Sequence, residues 1–158
     1  MEICKLCKKQ VIKLCDSHII PDFGYKKVWD KKHRTIPLTN KDDFAPRIIQ
    51  SGYKEKLLCL DCDNNKFSKW EAILKQTLED IWQKNSFNLL IKNEDNNQYI
   101  SVSKIQYNEF KKAILSIFWR LSISKSFDAY NFGPYNEKLR TILLNDEYLG
   151  TTQYPISI

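Results

Sequence analysis

The chain has 158 residues, 42% of them hydrophobic and 13% aromatic, which is enough to build a packed core and argues against wholesale disorder. Its formal net charge of +6 favours a polyanionic partner without requiring one. No apolar stretch follows the start Met1-Glu2-Ile3-Cys4-Lys5, and the most apolar run, Ala113 to Trp119, is too short for a bilayer. A secretory leader and a membrane span are therefore not expected, and a cytoplasmic setting is. Thiols stay reduced there, so the five cysteines need a use other than disulfides.

Taken in chain order, residues 1–21 open with a Cys-x-x-Cys turn and continue into a β-prone segment, Val11 to Ile20, that suits a short hairpin closed by Pro21. Residues 22–54 hold Gly24, Pro37, Pro46 and Gly52 and no helical period. They read as a long basic loop region with short strands such as Arg34–Leu38. Leu57-Leu58-Cys59-Leu60 has the pattern of a short buried strand running into a second Cys-x-x-Cys turn. From Asn64, the residues Phe67, Trp70, Ile73, Leu74, Leu78, Ile81 and Trp82 recur at three- and four-residue steps, which predicts a helix ending near Lys84. Trp70 and Trp82 are expected at an internal interface. Phe87–Lys92 and Tyr99–Val102 flank a polar tip and predict a hairpin. A second helix is predicted over about 104–124, with Phe110, Ala113, Ile114, Ile117 and Leu121 buried, and a third over Tyr135–Asn145 through Leu139, Ile142 and Leu143. The tail Tyr154-Pro155-Ile156-Ser157-Ile158 is extended and apolar, as a sheet strand or a cut point in a longer chain would be.

The chemistry concentrates in Cys4/Cys7 and Cys59/Cys62. Zn²⁺ takes four thiolates in a tetrahedron, and each Cys-x-x-Cys turn aims two sulfurs at one point. Two such turns close the shell, so the expected Zn²⁺ is structural and its binding energy becomes folding energy. The 51 residues between Cys7 and Cys59 must then loop back to the first turn. Four buried free cysteines are the alternative. Cys15, left over, reads as a small buried residue of the first hairpin.

His18 lies in Asp16-Ser17-His18-Ile19-Ile20-Pro21, and the second turn reads Leu57-Leu58-Cys59-Leu60-Asp61-Cys62-Asp63-Asn64-Asn65-Lys66. Together these resemble the zinc-supported HNH (His-Asn-His, ββα-metal) endonucleases. In these a Cys-x-x-Cys turn leads to Asp-His-Ile-x-Pro, and Leu-Leu-Cys-x-x-Cys-Asn-x-x-Lys enters a helix. Phe67, Ser68, Trp70 and Glu71, with Phe118-Trp119-Arg120 and Leu139-Arg140, look like a group of bacterial HNH-like proteins carrying Ser-His-Ile-Ile-Pro.

The resemblance implies an α+β fold. A treble-clef-like zinc module with a ββα core would occupy residues 1–85, and a hairpin and helices over 86–158 would pack on it. It implies metal-dependent hydrolysis of phosphodiester bonds in double-stranded DNA, with His18 as general base, Asp63 on a catalytic Mg²⁺ or Mn²⁺, and Lys66 against a phosphate. A role in defence against foreign DNA, and assembly with a partner protein or a second copy, belong to the same expectation.

One position departs from the pattern: Ser17 stands where most members place an Asp or His ligand. Asp16 shares a strand face with His18 and would need a local irregularity to reach the ion. Glu71 lies about 12 Å along the helix from Asp63, too far to share an ion. The departure motivates the second expectation, a catalytically degenerate zinc module that binds nucleic acid or assembles with a partner. Each residue also has a plainer reading. His18 could pack under the zinc turn, Asp63 could be a helix-start acid, and Lys66 could be solvated. The segment 26–34, with Lys31, Lys32 and Arg34 around Trp29, suits either a nucleic-acid contact or a solvated loop pinned by its tryptophan.

Overall fold

The computed structural model describes residues 1–36, 48–83, 89–94, 97–102, 105–127 and 129–156, with side chains placed outside 82–104. The protein is mixed α and β, built from four two-stranded sheets and three α-helices among the described residues. Strands β1 (Glu2–Ile3) and β2 (Gln10–Val11) pair antiparallel around the first cysteine turn. That turn is tightened by Lys8, whose φ of 62° carries the chain back, and by Cys4 N–H donating to the Lys9 carbonyl at 3.0 Å.

β3 (Cys15–His18) pairs antiparallel with β6 (Lys54–Leu58), not with a neighbour inside 11–20, so the expected local hairpin there is corrected. The cysteine turns explain the choice. Lys5 N–H of the first turn donates to the Leu57 carbonyl at 2.9 Å, and the four cysteine sulfurs converge, which carries β6 alongside β3. The partners run Cys15 with Leu58, Asp16 with Lys56, Ser17 with Glu55 and His18 with Lys54; the register slips between Cys15 and Asp16, with Leu57 as the extra residue on β6. Between these strands come a 3₁₀ turn, Asp22–Tyr25, and the small pair β4 (Arg34–Thr35) and β5 (Ile49–Gln50). The remainder of the expected strand Arg34–Leu38, from residue 37 on, lies outside the described residues.

The second cysteine turn leads into a π-helical segment, Cys62–Phe67, and then α1 (Ser68–Gln83). The wider π turn lets Cys62 face the sulfurs while Phe67, Trp70 and Leu74 enter the core. A hairpin forms in the expected region, β7 (Leu89–Glu94) with β8 (Asn97–Val102), but its ladder runs on through the pairs Asn93–Gln98 and Glu94–Asn97, which are expected in the turn; residues 87–88 of the expected first strand lie outside the described residues. α2 (Tyr107–Ile123) packs on α1 and on α3 (Tyr135–Asn145), whose bounds are those predicted. Phe67 meets Trp119 edge to face, centroids 6.0 Å apart, and Trp70 at 5.6 Å, which places Trp70 at the α1–α2 interface. The side chain of Trp82 lies outside the described residues. The tail forms no strand among its described residues; Ile156 instead exchanges hydrogen bonds with the Tyr107 hydroxyl.

α2 is buried on more than its apolar stripe. Ile114, Ile117 and Leu121 are half-buried, whereas Lys111, Lys112, Ser116 and Arg120 are fully buried beside Phe110, Ala113 and Trp119. One apolar core runs from Cys4, Leu6 and Ile19 through Phe67 and Trp70 to Trp119, Leu139 and Leu143, and so joins the two expected halves of the chain.

Candidate functional site

The cysteine sulfurs come first because they set the rest in place. Sγ atoms of Cys4, Cys7, Cys59 and Cys62 all lie within 4.8 Å of one another, and Cys7 and Cys59 are 3.9 Å apart. Four thiolates about 2.3 Å from one Zn²⁺ stand about 3.8 Å apart at the edges of the tetrahedron. The sulfurs therefore fit a metal ion such as zinc, with their shell filled by protein. Their protonation fits as well. Burial raises the Cys62 thiol far above its ordinary range, reinforced by the Cys59, Cys4 and Cys7 sulfurs. Burial also opposes the Cys4 thiolate, but hydrogen bonds from the Cys59, Cys7 and Leu6 backbone outweigh it and hold that thiol below its usual value. Only a cation lets all four carry charge together. Arg140 of α3 braces the turn by donating to the Leu6 carbonyl at 2.5 Å, while also holding Glu137.

His18 ends β3. Along the strand Asp16 is exposed, Ser17 fully buried and His18 half-buried, so Asp16 and His18 share one face and Ser17 takes the other. Nε2 of His18 lies 3.5 Å from Asp22 Oδ1, within ion-pair reach of a charged ring but longer than an ordinary hydrogen bond. The His18 carbonyl accepts from Arg120 at 2.7 Å. No sequence motif singles out Asp22. Four residues on, it comes beside the ring because Pro21 turns the chain into the 3₁₀ segment.

Arg120 is the second feature that the sequence did not single out as a site residue. Its side chain is 1% exposed and ties three elements together: the His18 carbonyl on β3, Glu71 of α1 at 2.6 Å, and the Ser116 carbonyl one turn back on α2 at 3.3 Å. Its guanidinium also lies over Phe67, 5.1 Å from the ring centroid. Burial works against its charge, and Glu71 and then Asp63 work for it; a guanidinium keeps its proton regardless. Glu71 is thus the partner of Arg120, in keeping with its expected distance from a metal ion. Asp63 is the second residue of the π segment, donates its N–H to the Cys59 carbonyl at 3.0 Å, and extends its field to both Arg120 and Cys15. Burial and the charges of Asp63, Cys59, Asp16 and Cys4 raise the Cys15 thiol.

The expected catalytic residues are thus held around one framework, but Asp16, His18 and Asp63 do not converge as a ligand group; among the described residues the four cysteines alone do.

The expected nucleic-acid contacts divide. Lys66 Nζ donates to the Leu144 carbonyl at 2.8 Å, which caps the end of α3. Arg34 holds Asp30 with both arms of its fork, at 2.9 and 2.7 Å. That bond keeps the Asp30 carboxyl down at about 2. Lys31 and Lys32 are exposed. Trp29 stacks on Tyr25, centroids 5.8 Å apart, and tilts against His33, so it pins this loop to the 3₁₀ turn.

No helix among the described residues is long and apolar enough to cross a membrane. Compared with known protein families, curated proteins and solved structures, the chain gives no significant match to any of them.

Proposed function

We propose that this protein is an HNH-type endonuclease acting on double-stranded DNA, in which His18 is the general base and the four-cysteine zinc site braces the strand that carries it. The observation that carries this reading is the contact of His18 Nε2 with Asp22. A carboxylate within ion-pair reach of one ring nitrogen would attract the imidazolium that forms when the other nitrogen takes a proton. Arg120 holds the backbone of the same residue, so the strand that carries the ring is fixed. His18 then removes a proton from the water that attacks the phosphorus. When bound, a divalent ion on Asp63 would stabilise the leaving oxygen.

A second reading is favoured by a different observation: the Arg120 cation lies within the field of Asp63, and Ser17 supplies no carboxylate. On that reading the chain is a catalytically degenerate zinc module that binds DNA or assembles with a partner.

Asp22→Asn separates the two. For the nuclease, zinc content stays unchanged and plasmid nicking in Mg²⁺ or Mn²⁺ slows about tenfold to a hundredfold. Equal nicking would remove Asp22 from the mechanism. No nicking by the wild type in any divalent metal, with DNA binding intact, would establish the second reading.

A further inference from the structure

The two faces of the β3–β6 ladder have different fates. Ser17 and its cross-strand partner Glu55 point inward, and Glu55 is engaged with the Ser124 hydroxyl and the backbone N–H groups of Lys125 and Ser126. The opposite face carries Asp16 and His18 on β3 and, directly across, Lys56 and Lys54 on β6. Directly opposed side chains stand about 5 Å apart at Cβ, so Lys54 is the immediate neighbour of His18. Both lysines are exposed, and neither ammonium has an ion pair or hydrogen-bond partner among the described residues. Asp16, although opposite Lys56, forms no ion pair with it.

Of the cations expected to meet nucleic acid, Lys66 caps α3 and Arg34 is bound to Asp30, whereas Lys31 and Lys32 are exposed like the ladder lysines. What sets Lys54 and Lys56 apart is their place directly across from His18 and Asp16. Alternate residues on a strand are about 6.7 Å apart, so two ammoniums on flexible stems can each take a separate phosphate of one DNA strand. They would hold it along the ladder, with the His18 end as the reacting end.

We propose that Lys54 and Lys56 form the contact that seats the phosphate backbone of duplex DNA against the His18 face. The proposal rests on the endonuclease reading for the choice of DNA, but its test reads binding rather than cleavage.

The experiment uses the full zinc-loaded chain and a fluorescent duplex of about 20 base pairs, titrated without added divalent ion between about 50 and 200 mM salt. Wild type, Lys54→Thr/Lys56→Thr, Lys31→Thr/Lys32→Thr and His18→Ala are compared after zinc content and circular dichroism show each to be folded. Each phosphate contact contributes about 0.9 to the slope of log affinity against log salt. The ladder double variant is expected to lose about 2 from that slope and to bind about tenfold or more weakly at the low-salt end. The loop double variant and His18→Ala should follow the wild type. A ladder variant that keeps the wild-type slope and affinity would overturn the proposal, as would wild type that binds no duplex at low salt. The endonuclease reading fails separately, if His18→Ala nicks plasmid as fast as wild type while the lysine-dependent slope persists.

Discussion

Arg120 is a full positive charge at 1% exposure, and Glu71 is its carboxylate partner at 2.6 Å. Removing one member of a buried pair leaves the other uncompensated, at about 3–5 kcal/mol, whereas replacing both with apolar groups of similar volume is often close to neutral. Glu71→Ala should therefore destabilise the protein by about 3–5 kcal/mol in urea unfolding, and Glu71→Leu/Arg120→Met by clearly less. A double variant destabilised as much as Glu71→Ala, or more, would mean that the two groups do not compensate each other. The exposed pair Asp30–Arg34 is of another kind. Asp30 titrates at about 2 in the folded chain, below the unfolded value of about 3.9. A lowered carboxylate stabilises the fold fully above the unfolded value, and that contribution is lost as pH falls through the folded one. In an NMR titration the Asp30 carboxyl midpoint should lie near 2, and Arg34→Ala should return it towards the ordinary range. An unchanged midpoint in that variant would assign the shift to the backbone N–H groups of Lys32 and Arg34 instead.

Elements explain why parts of this fold can be read from sequence and parts cannot. The third helix is legible to the residue because Leu139, Ile142 and Leu143 form a helical stripe and Gly133-Pro134 marks its start. The cysteine site is legible because two matched Cys-x-x-Cys turns have few other uses. The partner of β3 is not legible: a four-residue strand carries too little pattern to name a mate about forty residues away, and the metal turns, not strand propensity, decide the pairing. Asp22 becomes a neighbour of His18 only through the turn after Pro21, and Arg120 lies 102 residues from the carbonyl that it holds. The turn into β6 offers its own test. Gly52 has φ +67°, and a Cβ there would meet the Tyr25 ring at 2.4 Å. Gly52→Ala should cost about 1–3 kcal/mol through backbone strain and overpacking, read as a lower thermal midpoint. No change would mean that Tyr25 moves aside freely.

For the whole molecule, buried and half-buried cations fasten the C-terminal segment onto a body organised around the four cysteines. Lys111 Nζ donates to the Gly150 and Gln153 carbonyls at 2.8 Å, Lys112 pairs with Glu109 and Asp146, and Lys66 and Arg140 attach α3 to the second and first cysteine turns. The cysteine site and the helices are therefore one stability problem. Structural zinc contributes roughly 10–16 kcal/mol of apparent binding energy, comparable with or above the total stability of a domain at roughly 5–15 kcal/mol. Cys59→Ser, or a strong chelator, should abolish the cooperative unfolding transition of the whole chain, helices included, in calorimetry. A chelated protein that kept its full transition would show that the core stands without the metal.

The central claim, that His18 is a general base in a zinc-braced nuclease, is tested most directly by plasmid nicking with His18→Ala. The protein is purified with its zinc content verified equal to wild type and assayed in Mg²⁺ and Mn²⁺. The expected result is nicking by wild type and a loss of about a hundredfold to ten-thousandfold in the variant, the contribution typical of a positioned base. Equal rates in the two proteins, or no nicking by either in both metals, would contradict it.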